Sequence, residues 1–301
     1  MASPKQTGLT LAIIGCGVMC SSILEGVLAS TTKQESAGTE PLISNFVATV
    51  QSSGSVERLK KQFPSRLKVI QGGNVQAMEE ADIIMLGCKP YMAQAVLGAP
   101  GVREALRGKF LISVLVGTTP DKLHDCIYAN KANNLSGPDD FCYIRRALPN
   151  LAASLGESAT VAQASGSAAE QGKPLPEHFQ AAMDFIFTSI GKIHIVPGDL
   201  YDIAGILSGP GAVFTTVAVD GMMDGAVQQG LKRIEAKKIL AQALRGLAAI
   251  LEDGQHPAVL RESASSPRGV TIEGLLSLEE DRVRHAYSKA TIRATERSLN
   301  M

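Results

Sequence analysis

The chain has 301 residues, room for one large domain or two ordinary ones, and 45% of them are apolar, enough to build a core. Lys plus Arg equals Asp plus Glu at 29 each, so no net field draws it to nucleic acid or to an anionic membrane surface. The five cysteines, at 16, 20, 88, 126 and 142, are odd in number and lack zinc-type spacing, so they read as reduced thiols of a cytoplasmic protein without a metal site.

The opening apolar run, "LTLAIIGCGVMC", has only Lys5 before it, is interrupted by glycines and is followed by no small-x-small cleavage signal; it reads as a strand and the turn after it, not as a secretory leader. From there short apolar runs predict strands at 10–14, 46–50, 67–70, 83–86, 110–116 and 142–147. Helical periodicity fills the gaps at 21–29, 56–62, 75–80, 91–97 and 120–128. Such alternation calls for an α/β fold, a mostly parallel Rossmann-type sheet covered on both faces. Segments 31–41 and 130–140, rich in Thr, Asn, Ser and Gly, read as surface loops.

Two further apolar runs, 159–162 and 193–196, flank a helix near 177–190. Beyond Pro197 the strand signal ends, which divides the chain into a sheet-bearing domain, 1–197, and an all-helical domain, 198–301. Apolar residues at 240, 244, 247 and 251, and again at 283, 287, 290 and 294, mark two of its helices. The charge-free stretch 203–219 is short for a bilayer span of about 20 residues and is broken at Ser208-Gly209-Pro210-Gly211, so a buried helix is the expectation. The helix over 203–229 is apolar on most sides in its first half, more than about 100 residues can hide alone; a subunit interface, giving a homodimer or higher homo-oligomer, is implied.

Chemistry concentrates at the strand ends. In "LAIIGCGVMCSSIL" Gly15 and Gly17 stand between a strand and a helix, the setting in which such glycines turn the chain and let a pyrophosphate meet N–H groups at a helix N-terminus. Gly15, Cys16, Gly17, Val18 and Met19 are therefore cofactor-binding candidates, with Cys20 as a small third residue of the fingerprint. The second strand runs into Gln51, Ser52 and Ser53 with no acid before Glu57, which favours NADPH over NADH because a carboxylate there would repel a 2′-phosphate. Arg58 and Lys60 read as solvated helix residues. "GCKP" and "VGTTP" end strands on the same side, adding Cys88, Lys89, Pro90, Val116 and Gly117; Lys89 either reaches the cofactor or is a solvated loop lysine.

Other polar residues carry plainer readings. His194 is structural and His256 orders the loop before Pro257. Asp220 and Asp224 share a helical face without the His partners of a metal bundle, and cap or pair across the interface. Arg145 and Arg146 read as a solvated strand end. "SSPRGVT" (265–271) is either a helix connector with Thr271 as N-cap or an anion-gripping turn ahead of a helix.

Taken in order, the motifs resemble those of the pyrroline-5-carboxylate reductases over nearly the whole chain. "GCGVM" (15–19) matches the family's glycine motif and "CKP" (88–90) its "VKP", with Asn74 upstream. "SVLVG" (113–117) approaches "S-x-x-A-G", and "RALPN" (146–150) matches "R-x-x-PN". "LSGPGAVF" (207–214) stands for "LSGSGPAY", Gln255-His256-Pro257 for "QHP", and "SSPRGVT" for "SSPGGAT". The departures are Pro210 for serine, Ala212 for proline, Phe214 for tyrosine, Leu151 and Ala152 for threonine and proline, and Arg268 for glycine.

The resemblance implies reduction of a small cyclic imino acid, 1-pyrroline-5-carboxylate, to L-proline by NAD(P)H, in a homo-oligomer joined through the helical domain. It assigns the substrate to Ser266, Arg268, Gly269, Val270 and Thr271, with N–H groups of Gly269 and Val270 on the carboxylate and Thr271 as the catalytic residue beside the ring nitrogen. It adds Asn74 to the cofactor site. The departures leave open a modified pyrroline or a six-membered homologue as substrate, and a dinucleotide-binding protein without catalysis.

Overall fold

The computed structural model describes residues 8–128, 141–168 and 174–300; the loop expected at 130–140 lies outside them. The first half runs β1 (Leu9–Ile14), α1 (Val18–Ser36), β2 (Ile43–Val50), α2 (Ser53–Gln62), β3 (Lys68–Gln71), α3 (Asn74–Glu80) and β4 (Ile83–Leu86). There follow α4 (Ala93–Leu97), α5 (Val102–Ala105), β5 (Phe110–Ser113), α6 (Pro120–Tyr128), β6 (Tyr143–Leu148), β7 (Ser158–Gln163), α7 (Glu177–Thr188) and β8 (Gly191–Val196).

The strands form one sheet in the order β3-β2-β1-β4-β5-β6-β7-β8. All pairings are parallel except β6 with β7. The reason is visible in β1: Leu11 and Ile13 enter one apolar cluster with Ile23, Leu24 and Val27 of α1 and Phe179, Ala182 and Ile186 of α7. Ala12 and Ile14 enter another, with Ala77 and Met78 of α3, Leu97 of α4 and Leu123 of α6. Side chains alternate across a strand, so a strand buried on both faces has to be apolar throughout, as "LAII" is. Each strand expected from the sequence forms here, with ends shifted by up to three residues. The loop expected at 31–41 is a loop only in part, because α1 continues to Ser36. The Thr31 hydroxyl donates to the Ile43 carbonyl of β2 at 3.2 Å and that of Thr32 to the Leu28 carbonyl one helical turn back at 2.9 Å, so both threonines are satisfied while the helix continues.

The helices that follow are α8 (Tyr201–Ser208), α9 (Pro210–Gln228), α10 (Arg233–Glu252), α11 (Pro257–Ser263), α12 (Val270–Glu280) and α13 (Val283–Leu299). By packing, the chain divides into compact units of 1–209 with 298–301, and 210–297, so the first of the helices after the sheet, α8, packs with the sheet-bearing unit. Helix α8 goes with the sheet because two side chains hold it there. Asn150 donates its Nδ2 to the Ser208 carbonyl at 2.8 Å while its Oδ1 accepts from the Ala152 N–H at 3.0 Å. Arg146 bonds through Nε to Gln163 Oε1, lies 3.7 Å from the Asp202 carboxylate, and covers the Tyr201 ring at 3.9 Å. Arg145 and Arg146 are thus no solvated strand end: both are buried, at 5% and 4% exposure.

In the helical unit Arg233 pairs with Asp224 and lies 3.9 Å from Asp220, so those acids are engaged within the chain. His256 caps α11, its Nδ1 accepting from the Ala258 N–H at 3.2 Å. The stretch 198–228 has the length and mean hydropathy, 1.4, of a membrane span. Gly209 interrupts it, and Val213, Val217, Met222 and Val227 of α9 stand exposed rather than buried as expected, an apolar face of the kind that a second subunit covers.

Arg146→Ala takes the cation from beside the Asp202 carboxylate and empties a buried site, although Ser298 still donates to Asp202 Oδ1 at 2.9 Å. It is expected to lower stability by about 3 kcal/mol or more. Urea unfolding followed by circular dichroism reads this, and an unchanged midpoint removes the clamp.

Candidate dinucleotide site

In a sheet of this order the crevice opens where the connections from β1 and β4 part to opposite faces, at the carboxyl ends of those strands. A cavity of about 480 Å³ lies there. Of the residues singled out from sequence, Gly15, Gly17, Val18, Met19, Gln51, Asn74, Cys88 and Lys89 line it. Gly87 of "GCKP" and Cys20, the third residue of the fingerprint, line it as well, and so do Ile14, Thr49, Val50, Met92, Val96 and Val114, which no sequence motif marked.

Six expected residues do not line the cavity. Cys16 turns its side chain into the core at 1% exposure. Ser52 is the N-cap of α2, its hydroxyl accepting from the Ser55 N–H at 3.3 Å, and Ser53 is the first residue of that helix. Pro90 opens a short 3-10 turn, and Val116 and Gly117 stand beyond the end of β5.

The glycine loop is fixed by backbone. The N–H groups of Gly15 and Cys16 both donate to the Thr49 carbonyl at 3.1 Å, and the Thr49 hydroxyl donates to Asn74 Oδ1 at 2.7 Å. Gly15 has φ 87°, and a Cβ there would lie 2.9 Å from the Cys88 nitrogen, so only glycine fits. Gly17 is the N-cap of α1, and no acid stands in the first turn of that helix. The first-turn N–H groups lack intrahelical acceptors by construction, and here they face a cavity lined by the cradle. These residues fit the pyrophosphate of a dinucleotide.

Cys20 and Gly87 make a close pair. A Cβ on Gly87 would fall 2.2 Å from the Cys20 sulfur, so the larger third residue of the fingerprint is accommodated by a missing side chain on β4's end. Burial raises the pKa of all three nearby thiols: Cys16, Cys20 and Cys88, the last pushed up to about 11. They are neutral thiols near pH 7, poor nucleophiles and poor metal ligands. Among the described residues no cluster suits a metal ion.

Arg58, read from sequence as a solvated helix residue, instead spans from α2 to the loop. Its Nη2 donates to the Cys16 carbonyl at 2.9 Å and its Nη1 to the Ser21 hydroxyl at 3.0 Å, while Ser21 donates to the Gly17 carbonyl at 2.8 Å. No spacing rule in the sequence marks it, since it comes from the second turn of a neighbouring helix.

In the helical unit, Ser266 to Gly269 form a tight turn. The Gly269 N–H donates to the Ser266 carbonyl at 2.9 Å, so it closes the turn and is not available to a carboxylate, contrary to the expectation. Pro267 is second in that turn and Arg268 third, with φ 61°, the left-handed region glycine favours. Gly269 is the N-cap of α12, and Thr271 lies in its first turn rather than capping it. Val270, 91% exposed, and Thr271 therefore present N–H groups at a helix N-terminus.

A doubly wound sheet with a glycine cradle at its switch point defines a Rossmann-type dinucleotide-binding protein. Residues 199–301 match the family profile described as pyrroline-5-carboxylate reductase dimerisation, and residues 10–117 that described as NADP oxidoreductase, coenzyme F420-dependent. The chain is 37% identical to the pyrroline-5-carboxylate reductase of Lophium arboricola, over 98% of this chain and 94% of that one. It is also 37% identical to the Neurospora crassa protein of the same name, with the same coverage. The crystal structure of Plasmodium falciparum pyrroline carboxylate reductase with NADP bound has the same fold, with a TM-score of 0.76, 23% identity and 97% of each chain covered. The chain belongs to the pyrroline-5-carboxylate reductase family.

Gly87→Ala is expected to destabilise the sheet-bearing unit by about 1–3 kcal/mol through overpacking. Adding Cys20→Ala removes the sulfur and recovers most of the loss, a coupling that a double-mutant cycle in denaturant measures. Additive losses would contradict the pairing.

Proposed function

We propose that this protein reduces 1-pyrroline-5-carboxylate to L-proline with NADPH. The near full-length identity to reductases of that name carries the reading. The cradle supports it, since its glycines, first-turn N–H groups and acid-free β2 tip suit a dinucleotide with a 2′-phosphate.

When bound, the cofactor supplies the hydride that reduces the C=N carbon. The chain's own residues bind and orient. N–H groups of α1's first turn hold the pyrophosphate, and Asn74, kept in place by Thr49, stands at the wall. At α12 the N–H groups of Val270 and Thr271 take the substrate carboxylate, and Arg268 adds a cation to that grip. The Thr271 hydroxyl supports the nitrogen as it becomes an amine. The imine is basic enough to carry its own proton near neutrality, and the neutral thiols take no part. The reading includes a homo-oligomer joined through the apolar helical unit, a dimer or a larger assembly. A cytoplasmic location belongs to the same reading, in keeping with five free thiols.

A second reading, a cyclic imine with an altered ring, draws on Arg268. A side chain at φ 61° costs about 1–2 kcal/mol where the family's glycine costs little. Its guanidinium enlarges the anion grip and narrows the turn's surroundings. Oxidation of NADPH against five- and six-membered imino acids tests both readings. Pyrroline-5-carboxylate is expected to give the highest kcat/KM, and silence across the panel would remove catalysis altogether.

Thr271→Ala is expected to lower kcat/KM roughly tenfold or more, the scale of a positioned hydroxyl. An unchanged value takes Thr271 out of the mechanism. Arg268→Gly is expected to raise KM with kcat nearly constant, because it removes a charge from binding alone. If KM falls instead, Arg268 obstructs the turn.

A further inference from the structure

We propose that Arg58 is the residue through which this protein recognises the 2′-phosphate of NADPH, and so sets its preference over NADH. The inference rests on the reading that the cradle takes a reduced nicotinamide dinucleotide. It goes further in assigning selectivity to a helix residue and not to the tip of β2.

The adenosine ribose of such a cofactor lies against the carboxyl end of the second strand, where an acid would bind two hydroxyls and a cation would bind a phosphate. Here residues 51–56 are Gln, Ser, Ser, Gly, Ser and Val, with neither an acid nor a base. The corner is polar but uncharged, and by itself it distinguishes the two cofactors poorly.

Arg58 supplies what the tip lacks. It stands in the second turn of α2, and its guanidinium reaches back to the glycine loop, bonded to the Cys16 carbonyl at 2.9 Å and the Ser21 hydroxyl at 3.0 Å. A third bond goes to Gln62 Oε1 at 3.3 Å on its own helix. Nη1 makes two of these bonds and Nη2 one, which fixes the plane and leaves the Nε–H and one Nη2–H of the five donors for a phosphate. The residue is exposed, so the guanidinium is open to a phosphate arriving from solvent. Cys16 lies between Gly15 and Gly17, two residues that line the cavity, so the cation is held at the border of the cradle itself. The nearest acid in sequence, Glu57, projects about 100° further round the helix. Lys60 and Lys61, also exposed, stand in the last turn of α2, away from β2's end.

The loop bonds also give the guanidinium a bracing role, and the two roles separate in a binding measurement. Equilibrium binding of NADPH and of NADH to the full chain is followed by the fluorescence of the reduced nicotinamide, without imine, for the wild type, Arg58→Gln and Arg58→Lys. Wild type is expected to favour NADPH. In Arg58→Gln the ratio of the two affinities falls by roughly ten- to hundredfold, the scale of lost charge-assisted hydrogen bonds. Arg58→Lys keeps the charge without the fork and falls between. Adenosine 2′-monophosphate displaces NADPH from wild type better than adenosine 5′-monophosphate does, and this advantage disappears with Arg58→Gln.

Equal weakening of both cofactors by either substitution would make Arg58 a brace only and overturn the assignment. So would an unaltered ratio, or a wild type indifferent to the 2′-phosphate. Those results leave the reductase reading standing; failure of the wild type to bind either dinucleotide would instead remove the cradle's function and this inference with it. Should Arg58→Gln not fold, Arg58→Lys and the nucleotide competition on wild type decide the matter alone.

Discussion

Two backbone hydrogen bonds converge on one carbonyl, that of Thr49, and the rest of the site depends on them. By accepting from Gly15 and Cys16 it draws the turn after β1 onto the end of β2. That position aims the N-terminus of α1 into the crevice, so the first N–H groups, which no helix can pair internally, face the cavity and make the place receptive to an anion. Side chains tune the cradle, but the backbone builds it. The consequence is a site whose essential geometry needs glycine at Gly15, where φ is positive and β4's chain passes within contact of a missing Cβ.

The same closeness explains the unusual fingerprint. Cys20 occupies a position that helix–strand packing normally keeps very small, and room for its sulfur comes from Gly87 just beyond the end of β4. Cys16 and Cys20 are buried and Cys88 is half-buried at the cavity wall, and desolvation keeps all three protonated, so they pack as small apolar matter and not as reactive sulfur. At the other end of the unit, Arg146 and Asn150 do for α8 what Thr49 does for the glycine loop: polar atoms of one motif satisfy groups on a separate element and so fix where it lies.

Much of the fold was legible in the residues. Strands buried on both faces have to be apolar at consecutive positions, and "LAII", "IIML" and "FLIS" announce themselves. The glycine cradle and "CKP" were legible for a related reason, because the turn's requirements exclude most residue types. The helical half was legible as helix, and α9's surplus of apolar residues pointed to a partner surface. Less was visible where the same residue type suits two environments. Arg145 and Arg146 look solvated in sequence and are buried in the sheet; Arg58 looks solvated and reaches the glycine loop; Thr31 and Thr32 look like a loop and extend a helix.

The sequence by itself determined the alternation of strand and helix, the place of the phosphate cradle and the turn at 265–271, since each follows from local rules of burial, backbone freedom and spacing. Only the tertiary structure decided that the Gly269 N–H is consumed in closing that turn, that α8 belongs with the sheet, and which polar side chains find partners. Those outcomes hinge on distances between segments far apart along the chain, and a hydrogen bond or a buried charge has no fixed value until both of its ends are in place.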